Sequence, residues 1–264
     1  MAHSPGMSEH PHPAALVTGG ARRIGRAIAL DLAAHGWSVV VHYNTSEQAA
    51  RETVEEITAG GGRAAAVGAD LAREEDGLRL VPRAAKEVGP LTCLVNNASV
   101  FEIDTPETAT RASWEANLQV NLRAPFMLTQ AFAAQLPADG EGNVINIIDQ
   151  RVWNLTPYYT TYTVSKAALW TLTRTLAQAL APRIRVNAVG PGPTLPHARQ
   201  TDETFARQWA ALPLARRTLS EEIADAVRFI LQAPAMTGQM IALDGGQHLG
   251  WAQRRRTDTP APED

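Results

Sequence analysis

The sequence predicts an α/β protein: a single doubly wound domain, with one parallel sheet of seven strands and helices on both faces. Three observations predict this fold. Short apolar runs of strand length alternate along the chain with segments of helical periodicity. A glycine-containing turn joins the first run to the first helical segment. Polar residues follow the ends of later runs, as in a Rossmann-like sheet, whose ligands bind beyond the carboxyl ends of the strands.

The first predicted strand, Ala14–Val17, leads through the glycine turn into a helix. Ile24, Ile28 and Leu32 recur there at one-turn spacing, and Gly36 follows the helix. Glycines let the backbone approach a pyrophosphate, and a helix N-terminus supplies N–H donors and partial positive charge. We therefore predict a dinucleotide phosphate site here, formed by Gly19, Arg22, Arg23, Ile24 and Gly25.

The second strand is predicted at Ser38–His42, and its end indicates which cofactor binds. No acidic residue stands where one would bind the adenosine ribose, and Arg22 adds a nearby positive charge. A carboxylate there would repel a 2′-phosphate, so NADPH is predicted over NADH. An aspartate in place of His42 or Thr45 should shift the preference toward NADH. The predicted contacts are His42, Tyr43, Asn44, Thr45 and Ser46.

Five further strands complete the predicted sheet. They are Arg63–Ala69, Leu91–Val95, Asn143–Ile148, Arg183–Val189 and Met240–Leu243. The fifth strand ends at Asp149, and a helix follows it. Before the last strand, the segment 194–217 contains several prolines and a short predicted helix around Asp202–Ala211. The polar residues that end these strands are expected at one edge of the sheet.

Tyr162 and Lys166 lie four residues apart in the predicted helix, so they project from the same face. An ammonium beside a phenol favours the phenolate, which predicts a Tyr162 pKa below the ordinary value of about 10. Such a phenol is a proton donor for reduction of a C=O or C=N bond. Three aromatic residues before the helix, Trp153, Tyr158 and Tyr159, either line the pocket or pack inside the protein.

Together these motifs resemble the short-chain dehydrogenase/reductase family over residues 14–249. The family loop reads Thr-Gly-x-x-x-Gly-x-Gly, and Arg23 occupies its middle glycine position, where a side chain would reach the cofactor phosphates or the substrate. The resemblance implies an NADP(H)-dependent oxidoreductase, in which Asn121 helps to hold a water chain that serves Lys166. Further cofactor contacts that it implies are Asp70, Leu71, Asn97, Ala98, Ser99, Tyr162, Lys166, Pro191 and Gly192.

Asp149 departs from the common family pattern, in which a serine at that position hydrogen-bonds the substrate carbonyl. A carboxylate there would repel the negative charge that develops on the carbonyl oxygen during hydride attack. No serine occurs between Asn143 and Tyr162 that could take over the role. The aspartate instead suits a substrate whose nitrogens carry or accept protons.

The chain most resembles the pteridine reductase branch of the family, with its dihydromonapterin and dihydrofolate reductases. The resemblance lies in the Arg-Arg-Ile-Gly loop, the segments His42–Ser46 and Asn97–Phe101, and Asp149. It implies a pterin between Phe101 and the nicotinamide, with Ser99 at its edge and Arg23 at its polar rim.

By the same resemblance, Tyr162 would relay a proton to a ring nitrogen, assisted by Lys166 and Asp149, while NADPH delivers hydride to the adjacent carbon. Two other functions remain open. In a carbonyl reductase for 3-oxoacyl or small ketone substrates, Asp149 would be protonated and donate like a serine. A non-catalytic NADP(H)-binding sensor would fit the missing serine, although the retained Tyr162, Lys166 and Asn121 argue against it.

The composition of the chain limits the kinds of partner that the protein is expected to bind. The 264 residues carry a net charge of −3, and the only basic block is Arg254–Arg256, so no nucleic acid is expected. No apolar run reaches the roughly 18 residues that span a membrane. The single cysteine, Cys93, leaves no disulfide within the chain and fits a reducing cytoplasm. No metal site is expected.

We expect a flexible leader at 1–13, the catalytic domain at 14–249 and a mobile tail at 250–264. The family resemblance further implies a homotetramer, assembled through the Tyr162 helix and the C-terminal strand.

Overall fold

The computed structural model describes residues 13–197 and 200–250. Seven parallel strands form one sheet in the order β3-β2-β1-β4-β5-β6-β7, which confirms the predicted fold class. The strands are β1 (Ala14–Val17), β2 (Ser38–Tyr43), β3 (Arg63–Gly68), β4 (Cys93–Asn96), β5 (Gly142–Ile147), β6 (Ile184–Pro191) and β7 (Met240–Leu243). The predictions for the leader and the tail concern residues that, apart from 13 and 250, lie outside the described chain.

Helices cover both faces of the sheet. They are α1 (Arg23–Ala34), α2 (Glu47–Ala59), α3 (Glu74–Val88), α4 (Arg111–Leu118), α5 (Ala124–Gln135), α6 (Thr160–Leu180), α7 (Asp202–Ala210) and α8 (Ser220–Gln232). A π-helical turn, Gln119–Arg123, joins α4 to α5. One apolar core lies between the sheet and α1, α2 and α8, and a second lies between the sheet and α3, α5 and α6.

The central strand β1 shows why the strands could be read from the sequence. Ala15 and Val17 belong to the first core and Ala14 and Leu16 to the second, so the whole strand is buried and reads as one apolar run. The predicted start of β4, at Leu91, was wrong. The backbone N–H of Leu91 donates to the side chain of Gln135, so the strand begins only at Cys93.

The functional edge of the sheet lies where β1, β4, β5 and β6 end. After β3, at one edge of the sheet, the chain crosses over β2 and β1, and β4 pairs with the other side of β1. The strands are therefore added in opposite directions on the two sides of β1. A crevice opens at such a switch point, beyond the carboxyl ends of the strands. Within the described ranges, no helix has both the length and the apolar character needed to cross a membrane.

Candidate active site

A cleft of about 570 Å³ opens at this edge of the sheet and brings together most of the predicted site. Its lining includes Gly19, Arg22, Arg23, Ile24, Gly25, Asn97, Ala98, Ser99, Phe101, Asp149, Tyr162, Lys166, Pro191 and Gly192. The other predicted contacts lie outside the cleft lining: His42, Tyr43, Asn44, Thr45, Ser46, Asp70, Leu71 and Asn121.

The glycine turn at the floor of the cleft depends on close backbone packing. Gly19 has a φ of 62°, in the left-handed region that favours glycine. A Cβ at Gly25 would clash with the carbonyl oxygen of Gly19. The Asn97 side chain donates to the Thr18 carbonyl at 2.8 Å and so ties the end of β4 to the turn. The first residues of α1, Arg23, Ile24 and Gly25, line the cleft beside this turn.

Arg23 also adopts a left-handed backbone, with a φ of 55°, which explains why the family pattern has glycine there. Its guanidinium donates to the carbonyl oxygens of Pro196, at 2.9 Å, and Leu195, at 3.1 Å. Partial burial lowers the pKa of Arg23. Arg23 thereby links the glycine turn to the segment after β6, and its contacts with phosphates or a substrate rim remain a prediction.

His42 contradicts the prediction that it donates to a 2′-phosphate. Its side chain is buried, and its Nδ1 accepts the Gly19 backbone N–H at 3.0 Å. The proton is therefore on Nε2, which lies 3.0 Å from the Ala69 carbonyl oxygen. Burial lowers the pKa of His42 to about 4, so the ring is neutral. His42 braces the glycine turn from beneath, whereas Asn44 and Thr45 stay exposed.

The remaining predicted residues outside the cleft lining have structural contacts. The Leu71 side chain is buried, and Asp70 accepts the backbone N–H of Ala72 at 3.0 Å. The Tyr43 ring packs against Gly68, where a Cβ would approach within 3.1 Å of several ring atoms. Their proximity to an adenine or ribose remains a prediction.

The predicted catalytic groups meet beyond the end of β5. The Tyr162 hydroxyl donates to Asp149 Oδ2 at 3.0 Å, and Asp149 Oδ1 accepts the Arg151 backbone N–H at 2.8 Å. The Lys166 ammonium donates to the Ile147 carbonyl oxygen at 2.8 Å and lies 5.7 Å from the Tyr162 ring centre. The carboxylate, not the lysine, is therefore the direct partner of the phenol.

The predicted lowering of the Tyr162 pKa was wrong. Burial raises this pKa well above its ordinary value, and the Asp149 charge raises it further. Burial lowers the pKa of Lys166 to about 8, although Asp149 opposes that shift. A neutral phenol held by a carboxylate can donate its proton, and the phenolate that forms can be reprotonated through the carboxyl group. That is the arrangement a proton relay requires.

Phe101 forms the aromatic wall of the cleft. Its ring stacks on Tyr159, with centroids 4.6 Å apart and planes 9° apart, and meets Tyr162 edge-on at 4.7 Å. Phe101 remains 40% exposed, so it can still receive a planar ligand. Tyr159 is buried and packs behind it, while Trp153 contacts Trp170 and lies outside the cleft lining.

A polar network fixes the loop that carries Phe101. Asn121 accepts the Val100 backbone N–H at 2.8 Å and donates to the Val100 carbonyl at 3.0 Å. It also donates to Ser165 Oγ on α6, at 3.0 Å. Asn121 is fully buried, so these bonds are shielded from water. The predicted role of Asn121 in a water chain stays a prediction, and its direct contacts anchor this loop.

Asp104 fixes the other end of the Phe101 loop, and sequence reasoning missed it. Its carboxylate accepts the Thr161 backbone N–H at 3.1 Å and the Thr161 hydroxyl at 2.6 Å. Its carbonyl oxygen accepts the Tyr159 N–H at 2.8 Å. A buried acid from a distant loop thus caps the N-terminus of α6. Asp104 thereby joins the Phe101 loop to the helix of Tyr162.

Replacing Asp104 with asparagine is expected to destabilise this junction. The amide NH₂ would face the Thr161 hydroxyl, which already accepts a hydrogen bond from Asn117, so a buried donor would lose its acceptor. We expect the free energy of unfolding to fall by about 1–3 kcal/mol. Urea denaturation measures this change. The control Glu221→Gln alters an exposed acid in the first turn of α8, and equal stability of both variants would contradict the cap.

The sequence is similar to a known protein family and to individual members of it. The family model described as enoyl-(acyl carrier protein) reductase matches residues 19–248. The 3-oxoacyl-[acyl-carrier-protein] reductase of Synechocystis sp. is 36% identical, over 88% of this chain and 95% of its own length.

Two solved structures are more similar in sequence. FolM alternative dihydrofolate reductase 1 from Brucella suis, in complex with NADP, is 50% identical with a TM-score of 0.89. The match covers 92% of this chain and 97% of that one. FolM alternative dihydrofolate reductase 1 from Brucella canis, complexed with NADP, is 49% identical with a TM-score of 0.90, covering 94% and 98%.

Proposed function

Because the chain belongs to the short-chain dehydrogenase/reductase family, we propose that it is an NADPH-dependent reductase of pterin-type substrates: a dihydropterin, dihydromonapterin or dihydrofolate. Family membership makes it an oxidoreductase rather than a non-catalytic sensor. The observation that carries the proposal is the hydrogen bond from Tyr162 to Asp149, at the position where the common family pattern has a serine.

The cleft fits NADP(H), the cofactor of the similar solved structures. The glycine turn and the N-terminus of α1 offer backbone donors to a pyrophosphate, and Pro191 and Gly192 line the cleft at the end of β6. No acid follows β2. The turn holds that end of the strand close, since the Gly20 N–H donates to the His42 carbonyl at 2.9 Å. When bound, the cofactor supplies the hydride.

The protein's own residues would then handle the proton. Tyr162 would donate its hydroxyl proton to the ring nitrogen beside the carbon that accepts hydride. Asp149 holds the phenol in place, and once it has taken up a proton from water it can pass that proton to the Tyr162 phenolate, which restores both groups. The buried ammonium of Lys166 offsets the negative charge of this pair. The exposed ring of Phe101 would stack on the flat heterocycle.

Similarity in sequence supports a second candidate function. The Synechocystis relative is a 3-oxoacyl-[acyl-carrier-protein] reductase, and its match extends over most of both chains. Reduction of such a ketone would require Asp149 to be protonated and to donate to the developing oxyanion. The serine that serves this role in the common family pattern is absent at position 149, where Asp149 instead bonds the Tyr162 hydroxyl at 3.0 Å, and this favours the pterin.

Absorbance of NADPH distinguishes the two candidates. Purified protein is mixed with NADPH and, in separate assays, with a dihydropterin, dihydrofolate or an acetoacetyl thioester. We expect oxidation with the dihydropterin or dihydrofolate and little with the thioester. Oxidation with the thioester alone would reject the pterin proposal in favour of carbonyl reduction.

The cofactor preference is tested at Thr45, which is exposed just beyond β2. Thr45→Asp is expected to raise the KM for NADPH at least tenfold, about 1.4 kcal/mol, because a carboxylate would repel the 2′-phosphate. The KM for NADH should change little. Thr45→Asn, similar in size and uncharged, is the control. His42→Asp is unsuitable as a test, since it would place a carboxylate in the buried site beneath the turn.

We also propose a cytoplasmic homotetramer that binds neither nucleic acid nor membrane, with the domain boundaries given above. The exposed face of α6 and strand β7 would form subunit contacts. Light scattering coupled to size exclusion measures the assembly, and a monomeric mass would reject this part of the proposal.

A further inference from the structure

Arg151 is a largely buried cation in the cleft that the proposed mechanism does not use. It lies two residues after Asp149, in a short 3₁₀ turn, and its side chain is only 11% exposed. Its guanidinium carbon lies 4.4 Å from the Tyr159 ring centre and 5.6 Å from that of Phe101. The charge therefore sits beside the aromatic wall on which a planar ligand would stack.

Within the part of the chain that the structure describes, one buried nitrogen of the guanidinium lacks an acceptor. Among the described residues, its buried Nη1 has no hydrogen-bond partner. Its Nε lies 4.0 Å from Asp149 Oδ1, too far for a hydrogen bond. A guanidinium has five donors and no acceptor, and burying donors without partners costs stability. Cation–π contacts offset part of that cost but accept no hydrogen bond.

We propose that Arg151 is a substrate-specificity residue, whose guanidinium donates hydrogen bonds to a ring acceptor, a carbonyl oxygen or ring nitrogen, of the bound heterocycle. This inference rests on the proposed function and deepens it. Arg151 is largely buried and lies beside Asp149, so its acceptor belongs to the enclosed ring rather than to a solvent-exposed tail of the substrate.

Two roles for Arg151, as a positive charge and as a hydrogen-bond donor to the ring, predict different results on substitution. If Arg151 acted only as a positive charge near Asp149 and Tyr162, any cation of similar length would replace it. If it directly binds the ring, the planar fork of donors matters, and a lysine ammonium cannot reproduce it. The two roles also differ in kinetics. Loss of a binding contact raises KM, whereas loss of charge beside the proton donor lowers kcat.

The test compares Arg151→Met and Arg151→Lys with the wild type, using the dihydropterin as substrate. We expect Arg151→Met to raise the KM for the dihydropterin about tenfold to a hundredfold and to leave kcat within about threefold. The KM of Arg151→Lys for the dihydropterin should also be raised, and the logarithm of its increase should be more than half of that in Arg151→Met. The affinity for NADPH, measured by its fluorescence, should not change.

Arg79→Met is the control, since Arg79 is an exposed arginine of α3 that does not line the cleft. It should leave the KM for the dihydropterin unchanged. An unchanged KM in Arg151→Met, or full recovery in Arg151→Lys, would overturn the inference. Absence of dihydropterin turnover by the wild type would overturn the proposed function and this inference with it, so the wild-type assay separates the two failures.

Discussion

Tyr162→Phe is expected to lower kcat for dihydropterin reduction by about 10²–10⁴-fold, the usual contribution of a positioned proton donor. The change removes one oxygen from a buried ring that packs edge-on against Phe101, so the aromatic wall should keep its shape. Hydride transfer would then build negative charge on a ring nitrogen with no proton supplied at that position. Single-turnover oxidation of NADPH measures the loss.

Two further measurements show whether the loss is chemical. NADPH affinity should fall much less than kcat, because the glycine turn is untouched and Tyr162 loses only its hydroxyl contact, and the melting temperature shows whether the fold survives. Tyr158→Phe is the matched control, since Tyr158 lies outside the cleft lining. Retention of most of the dihydropterin turnover in Tyr162→Phe would mean that another group donates the proton.

Local patterns were sufficient to predict much of the fold and the reacting pair. β1 could be predicted because each of its residues is buried, and Tyr162 and Lys166 share a face because their spacing matches one helical turn. The helix predicted at Asp202–Ala211 ends one residue earlier in the structure. These features depend on neighbours within a few residues along the chain.

Contacts between distant segments could not be predicted in the same way. His42 has the side chain expected of a phosphate ligand, but the Ala69 carbonyl and the Gly19 N–H occupy both of its ring nitrogens. Asp104 meets Thr161, 57 residues away, and nothing in either local pattern indicates the pair. The Tyr162 pKa was predicted from its helical neighbour, although burial raises it and the charge of Asp149, on another element, raises it further.

The charge at Asp149 is what separates the two candidate functions, and its replacement is expected to change the substrate. Asp149→Ser removes the hydrogen-bond partner of Tyr162 and places a neutral donor beside the cleft. Dihydropterin turnover should fall about 10²-fold or more, because the phenol loses its route to a new proton. Reduction of an acetoacetyl thioester should rise about tenfold or more, since a single oxyanion donor contributes about 10²–10³ in rate.

Asp149→Asn shows whether charge or shape is responsible. The amide has nearly the same size, and its oxygen can still accept the Arg151 backbone N–H, but it cannot carry a proton between Tyr162 and the surroundings. Both variants should therefore lose dihydropterin turnover, measured as NADPH oxidation at saturating substrate. If Asp149→Asn kept wild-type turnover, the carboxylate would be a structural anchor alone, and the pterin proposal would lose its main support.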